Sequence, residues 1–211
     1  MSELRTDEET VEQIQRWWRD NGTTLVVTVV VVLAGVFGWN WWQERTQAET
    51  AAASALYLEW LEQQERGGGE AAEAIAASLR EAHPGSAYSA LLRFDAAASS
   101  ANGGDMAQAR SELEAVLAMD LTAAFHDLAR LRIARLDLDA GEAEAALAGL
   151  DAIAAGRAIG AVQELRGDAL GELGRLDDAR AAYAAAMSGS EVSRPLLEMK
   201  RDALVALEEV E

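Results

Sequence analysis

Few side chains in this 211-residue sequence have the type and spacing for chemistry, and they do not converge. There are two histidines, His83 beside Pro84 at a turn and His126 within a helical stretch, and there is no cysteine. Zinc needs three or four converging ligands, so two separate imidazoles read as surface or helix-packing residues. Without a thiol there is no cysteine nucleophile. Gly67, Gly68 and Gly69 lack the following Lys and Ser or Thr that let a glycine loop cradle phosphate, and they read as a hairpin turn. Glu208, Glu209 and Glu211 lie at a helix end, as a solvated tail. The sequence therefore assigns no catalytic residue, no metal ligand and no cofactor, and points away from an enzyme.

What remains is organisation. From Asn21 to Gln43 the chain carries no charge, while Arg19 and Asp20 precede this stretch and Glu44 and Arg45 follow it. A hydrocarbon core about 30 Å thick is crossed by about 20 apolar residues in a helix. Gly22 to Trp42 supplies that length. The run Leu25–Leu33 is rich in valine and strand-like in water, but in lipid a lone strand leaves its backbone unsatisfied and a helix does not. Trp17 and Trp18 stand before the run and Trp39, Trp41 and Trp42 at its end, where amphipathic rings meet the headgroup layers. Ala34 and Gly38 have the small-xxx-small spacing that lets another membrane helix approach.

Residues 1–21 form a short acidic leader. Thr6 and Glu9 are spaced as a capping box ahead of Val11, Ile14, Trp17 and Trp18 on one helical face. This is either a brief helix at the membrane surface or the first turns of the anchor helix. Arg5, Arg16 and Arg19 before the span, against Arg45 after it, put the amino terminus in the cytoplasm. The alanines of AETAAASA, Ala48–Ala55, resemble a cleavage site. However, the leader is long and acidic and WNWWQERTQ intervenes, so an uncleaved signal anchor is expected over residues 22–42.

Residues 43–211 have room for one domain with its own core. Residues 46–211 carry 14 Lys and Arg against 29 Asp and Glu, a net charge of −15. Such a surface repels phosphate backbones and anionic lipid, which argues against nucleic-acid binding. Alanine-rich segments with apolar residues at three- and four-residue spacing predict helices at 46–65, 70–82, 86–101, 105–119, 122–139, 142–154, 158–173, 176–188 and 195–209. Gly67 to Gly69, Pro84 with Gly85, Gly103 with Gly104, Gly141, Gly156, Gly174 and Gly189 punctuate them as positive-φ turns. Asp105, Glu142, Asp177 and Asp178 open the helices that follow. Short connections make successive helices antiparallel. Tyr57, Leu58, Trp60, Leu61 and Tyr88 are expected in the core or its cap, or along a partner groove.

The glycines that end first helices, Gly104, Gly141 and Gly174, recur at spacings typical of a helical-hairpin solenoid, with a plain helical bundle as the alternative. The stretch LRGDALGELGRLDDARAAYAAAM, residues 165–187, resembles a tetratricopeptide repeat: Gly167 where the helices touch, Leu170, Gly174 at the turn, then Ala179, Tyr183 and Ala186. The usual closing proline is missing, with Glu191 in that region. The unit after Gly141 keeps Ala146 and Leu150 and the unit after Gly104 keeps Ala109 and Leu113, but Ala134 and Ala97 stand where Gly167 would. The expected fold is all-α: one amino-terminal transmembrane helix followed by an antiparallel, degenerate tetratricopeptide-like solenoid.

End to end, the acidic leader, TVEQIQRWWRDNG, the Val-rich span, the exit GWNWWQERTQAETAAASALY and the repeat motif resemble the YfgM-like family, ancillary subunits of the SecYEG translocon. The resemblance implies an inner-membrane protein with a periplasmic repeat domain. Its partners would be the SecYEG translocon and a membrane-anchored periplasmic chaperone of the prolyl-isomerase type, PpiD-like, with handover of emerging substrates as its role. It also implies, as an alternative, restraint of an envelope stress phosphorelay through a response regulator bound by the cytoplasmic leader.

Overall fold

The computed structural model describes the backbone of residues 7–153, 159–188 and 193–208, and the side chains of 11–153, 160–188 and 193–204. Thr6, Gly156, Gly189, Glu191, Glu209 and Glu211, and the side chains of Glu9 and Glu208, lie outside the described residues. The described elements are all helices: α1 (Asp7–Glu65), α2 (Glu70–Ala82), α3 (Ala87–Asn102), α4 (Met106–Leu117), α5 (Ala123–Asp139), α6 (Ala143–Asp151), α7 (Ile159–Glu172), α8 (Leu176–Ala186) and α9 (Arg194–Glu208). Their contacts divide the chain into two units, Met1–Ala55 and Leu56–Glu211.

In α1 the residues from Asp7 onward and the apolar stretch are continuous, and the helix runs on through residues 46–65. The separate helix expected at 46–65 is thus the last part of α1. The reason is local: between Trp42 and Glu65 there is no glycine or proline, and ERTQAETAAASA is built of helix formers. Threonines follow the helix too, Thr28, Thr46 and Thr50 donating to the carbonyls of Thr24, Trp42 and Thr46 at 2.8–2.9 Å. The run ends at Gly67, Gly68 and Gly69, with φ of 112°, 65° and 81°.

In the second unit α3 pairs with α4, α5 with α6 and α7 with α8, and α9 lies against α8. Each pair turns by the same device. Gly104, Gly141 and Gly174 adopt φ of 84°, 76° and 70°. The next residue's N–H then reaches back to a carbonyl five positions earlier, Asp105 to Ser100, Glu142 to Asp137 and Arg175 to Leu170, at 2.8–2.9 Å. This is the Schellman closure, which satisfies carbonyls that a helix end leaves free. Gly103 stays right-handed at φ −78°, and Gly85 is not in the positive-φ region, so at those two positions glycine is not required for the turn. Asp105 caps α4 by accepting from the Gln108 N–H at 3.0 Å, whereas Glu142 stands at the start of α6 without a side-chain cap.

The core is passed from hairpin to hairpin. Ala90, Phe94, Ala97, Leu113, Val116 and Ala129 join α3, α4 and α5. Ala134, Ala146, Leu150, Val162 and Leu165 join α5, α6 and α7. Leu170, Ala179, Tyr183, Ala186, Leu197 and Leu204 join α7, α8 and α9. Because α5 and α7 each feed two clusters, successive hairpins bury their apolar faces against one another, as in solenoids generally.

Candidate functional site

Among the described residues α1 contains an apolar segment long enough to cross a bilayer, almost entirely exposed. Trp18 and Trp39 are 21 positions apart in one helix, so at 1.5 Å per residue they are separated by about 30 Å, the thickness of a hydrocarbon core. Trp17, Trp18, Trp39, Trp41 and Trp42 are all half exposed or more. Trp39 and Trp42 lie 5.4 Å apart between ring centres, and the Arg45 guanidinium stands 5.9 Å from the Trp41 ring. Ala34 and Gly38 are exposed on the same helix, and a methyl placed on Gly38 would meet nothing within 4 Å.

The repeat-packing residues come together where α7 and α8 cross. A Cβ added at Gly167 would fall 2.5 Å from Cε1 of Tyr183, so the phenol ring occupies the space a side chain would need. Leu170, Ala179, Tyr183 and Ala186 are buried in one cluster, and Gly174 makes the turn. The earlier repeats put Ala97 with Ala109 and Leu113, and Ala134 with Ala146 and Leu150, in the matching places, all buried.

Around Tyr183 lies a polar network that repeat spacing alone does not announce. The Tyr183 hydroxyl donates to Asp168 Oδ1 at 2.7 Å. Lys200 of α9 donates to Asp168 at 2.8 and 2.9 Å and to Glu164 at 2.8 Å. Burial, then the hydrogen bond to Asp168, holds the Tyr183 phenol well above its ordinary range. For Lys200 burial acts downward, but the bonds to Asp168 and Glu164 outweigh it and leave the ammonium above its usual value. One signal was legible: Glu164, Asp168 and Glu172 recur every fourth residue and share one face of α7. The cation that engages Glu164 and Asp168, 32 to 36 positions away on α9, was not.

This network borders a cleft of about 510 Å³ between α5, α7 and α9, lined by Leu138 and Asp139, by Asp168, Gly171 and Glu172, and by Lys200, Ala203 and Leu204, among others. Elsewhere, Tyr57 stacks on Trp60 and tilts against Tyr88, with ring centres 5.5 and 5.4 Å apart. Trp60 is buried, while Leu58 and Leu61 are exposed. His126 Nε2 lies 3.0 Å from the Met119 carbonyl, a packing contact within its own turn region. Among the described residues no group of three His, Asp or Glu is placed to hold a metal ion.

A family model described as a tetratricopeptide repeat-like domain matches residues 15–206, the apolar stretch included. Two curated relatives named ancillary SecYEG translocon subunit are similar almost end to end. The one from Haemophilus influenzae is 25% identical over 92% of this chain and 95% of its own. That from Escherichia coli is 28% identical over 94% and 95%. A third of the same name, from Aggregatibacter actinomycetemcomitans, is 25% identical over 70% of this chain and 72% of its own. No solved structure matches. An apolar amino-terminal helix, three glycine-turned hairpins sharing one relayed core, and a family match across nearly all of that length identify the chain as a member of the tetratricopeptide repeat-like domain family.

Proposed function

We propose that this protein is a non-catalytic ancillary subunit of the SecYEG translocon, held in the bacterial inner membrane by a single span at residues 22–42. The observation that carries this reading is similarity to relatives of that name over more than nine-tenths of the chain, membrane segment included. In this reading residues 1–21 are cytoplasmic and residues 43–211 form a periplasmic repeat domain. That domain holds a membrane-anchored chaperone of the prolyl-isomerase type beside the channel exit and helps pass emerging chains to it.

The physical advantage is the tether. Two proteins confined to one membrane meet at a high effective concentration, so weak contacts are enough to keep them together. The acidic domain, repelled by anionic headgroups, stands clear of the bilayer where an emerging chain passes. The test is co-purification of the tagged full chain with SecYEG from mildly solubilised membranes, beside a version whose residues 22–42 are replaced by an unrelated apolar helix. The channel should accompany the native chain and be lost or strongly reduced with the replaced span. Failure of the native chain to retain the channel would overturn the reading.

A further inference from the structure

The cleft between α5, α7 and α9 has two kinds of lining. Leu138, Gly171, Ala203 and Leu204 give an apolar wall, and Gly171 leaves it open because it adds no side chain. Carboxylates border it: Asp139 at the end of α5, and Asp168 and Glu172 on α7 with Glu164 one turn before them. Of the two cations there, Lys200 is already engaged by Asp168 and Glu164, leaving Arg135. Three carboxylates thus line the cleft with two cations, and the exposed side chains of Asp139 and Glu172 have no hydrogen-bond or ion-pair partner among the described residues.

From this complementarity we propose that the cleft docks a cationic segment of a partner protein, an apolar side chain seated against Ala203 and Leu204 and Lys or Arg residues reaching Asp139 and Glu172. The inference rests on the scaffold reading above and names the chemistry of what the scaffold holds. The charge of the whole domain raises the rate of encounter, and the two unengaged carboxylates supply the local specificity.

The experiment uses the full chain in nanodiscs of neutral phosphatidylcholine and a short fluorescein-labelled lysine-rich peptide with one central leucine, read by fluorescence anisotropy. A twin peptide carries glutamate for every lysine. The lysine peptide should bind at least about tenfold tighter than its twin and weaken with salt. Asp139→Asn with Glu172→Gln should weaken it about fivefold or more. Glu70→Gln with Glu81→Gln on α2 removes the same charge elsewhere and should change it less than about twofold. All three proteins should retain the same helical circular dichroism, since the four carboxylates are exposed. Equal weakening by both double variants, or equal binding of the twin peptides, would overturn the inference. If those failures occur while SecYEG still co-purifies, the docking chemistry falls and the translocon reading stands. Cleft binding without co-purification separates them the other way.

Discussion

The phenol ring of Tyr183 lies on the bare α-carbon of Gly167, and the chain's other repeats show why. Where Leu113 or Leu150 takes the place of Tyr183, Ala97 or Ala134 takes the place of Gly167, so a larger residue on the second helix is matched by a smaller one on the first. Gly167→Ala should therefore destabilise the domain by about 1–2 kcal/mol. Overpacking costs about 1–3 kcal/mol, and the better helix propensity of alanine returns up to about 1 kcal/mol. Combining it with Tyr183→Leu should cost less than the sum of the two single losses, with a favourable coupling of about 1 kcal/mol in the double-mutant cycle. Urea unfolding of the four proteins measures this; strictly additive effects would contradict it. Gly149→Ala on α6, where an added Cβ meets nothing within 4 Å, should be neutral or mildly stabilising.

The Tyr183 and Lys200 protons give the domain a sensitivity to alkali. Both groups are held above their ordinary values in the folded chain. Their contribution is fully present below about pH 10, where both states keep these protons, and is lost as pH rises further, because the unfolded chain then releases protons that the folded chain retains. Each such proton steepens the fall by up to about 1.4 kcal/mol per pH unit. Tyr183→Phe should lower stability at neutral pH by about 1 kcal/mol and flatten the decline between pH 10 and pH 11. Denaturant titrations at neutral and alkaline pH test both parts.

Arg110 on α4 and Asp137 on α5 form an ion pair whose two ends differ in burial. The Asp137 side chain is 4% exposed and the Arg110 side chain 36%. Arg110→Met strands a buried carboxylate and should cost about 3–5 kcal/mol. Asp137→Leu leaves a guanidinium that water can reach and should cost less, about 1–3 kcal/mol. Replacing both should be better tolerated than Arg110→Met alone. Thermal unfolding of the three variants would show the order, and equal single-site losses would speak against it.

Much of this fold was legible because its punctuation is chemical. Gly104, Gly141 and Gly174 had to turn left-handed, and the three- and four-residue apolar spacing between them placed the helices to within a few residues. Two features were not legible locally. The continuity of α1 depends on the absence of any breaker between Trp42 and Glu65, and the change from valine-rich to alanine-rich composition there suggested a boundary that the backbone does not have. The cleft and its Lys200–Asp168–Tyr183 network are assembled from α5, α7, α8 and α9, so no single window contains them. Only the carboxylate row Glu164, Asp168 and Glu172 on α7 announced it.

The span makes its own prediction. An aspartate near the centre of a membrane helix costs about 2.5–3.5 kcal/mol in insertion. Val30→Asp with Leu33→Asp should therefore move most of the protein out of the alkali-resistant membrane fraction, while Val30→Leu should leave it there. Membrane retention of the doubly charged variant would argue against residues 22–42 as the anchor.

The most direct test of the proposed role is site-specific photocrosslinking in bacterial inner membranes, with a photoreactive residue at Ala34 in the span and at Glu172 beside the cleft. The scaffold reading predicts adducts from Ala34 to a subunit of the SecYEG channel and from Glu172 to a membrane-anchored periplasmic chaperone. Capture of only a cytoplasmic response regulator, from residues of the leader, with neither of those adducts, would contradict it.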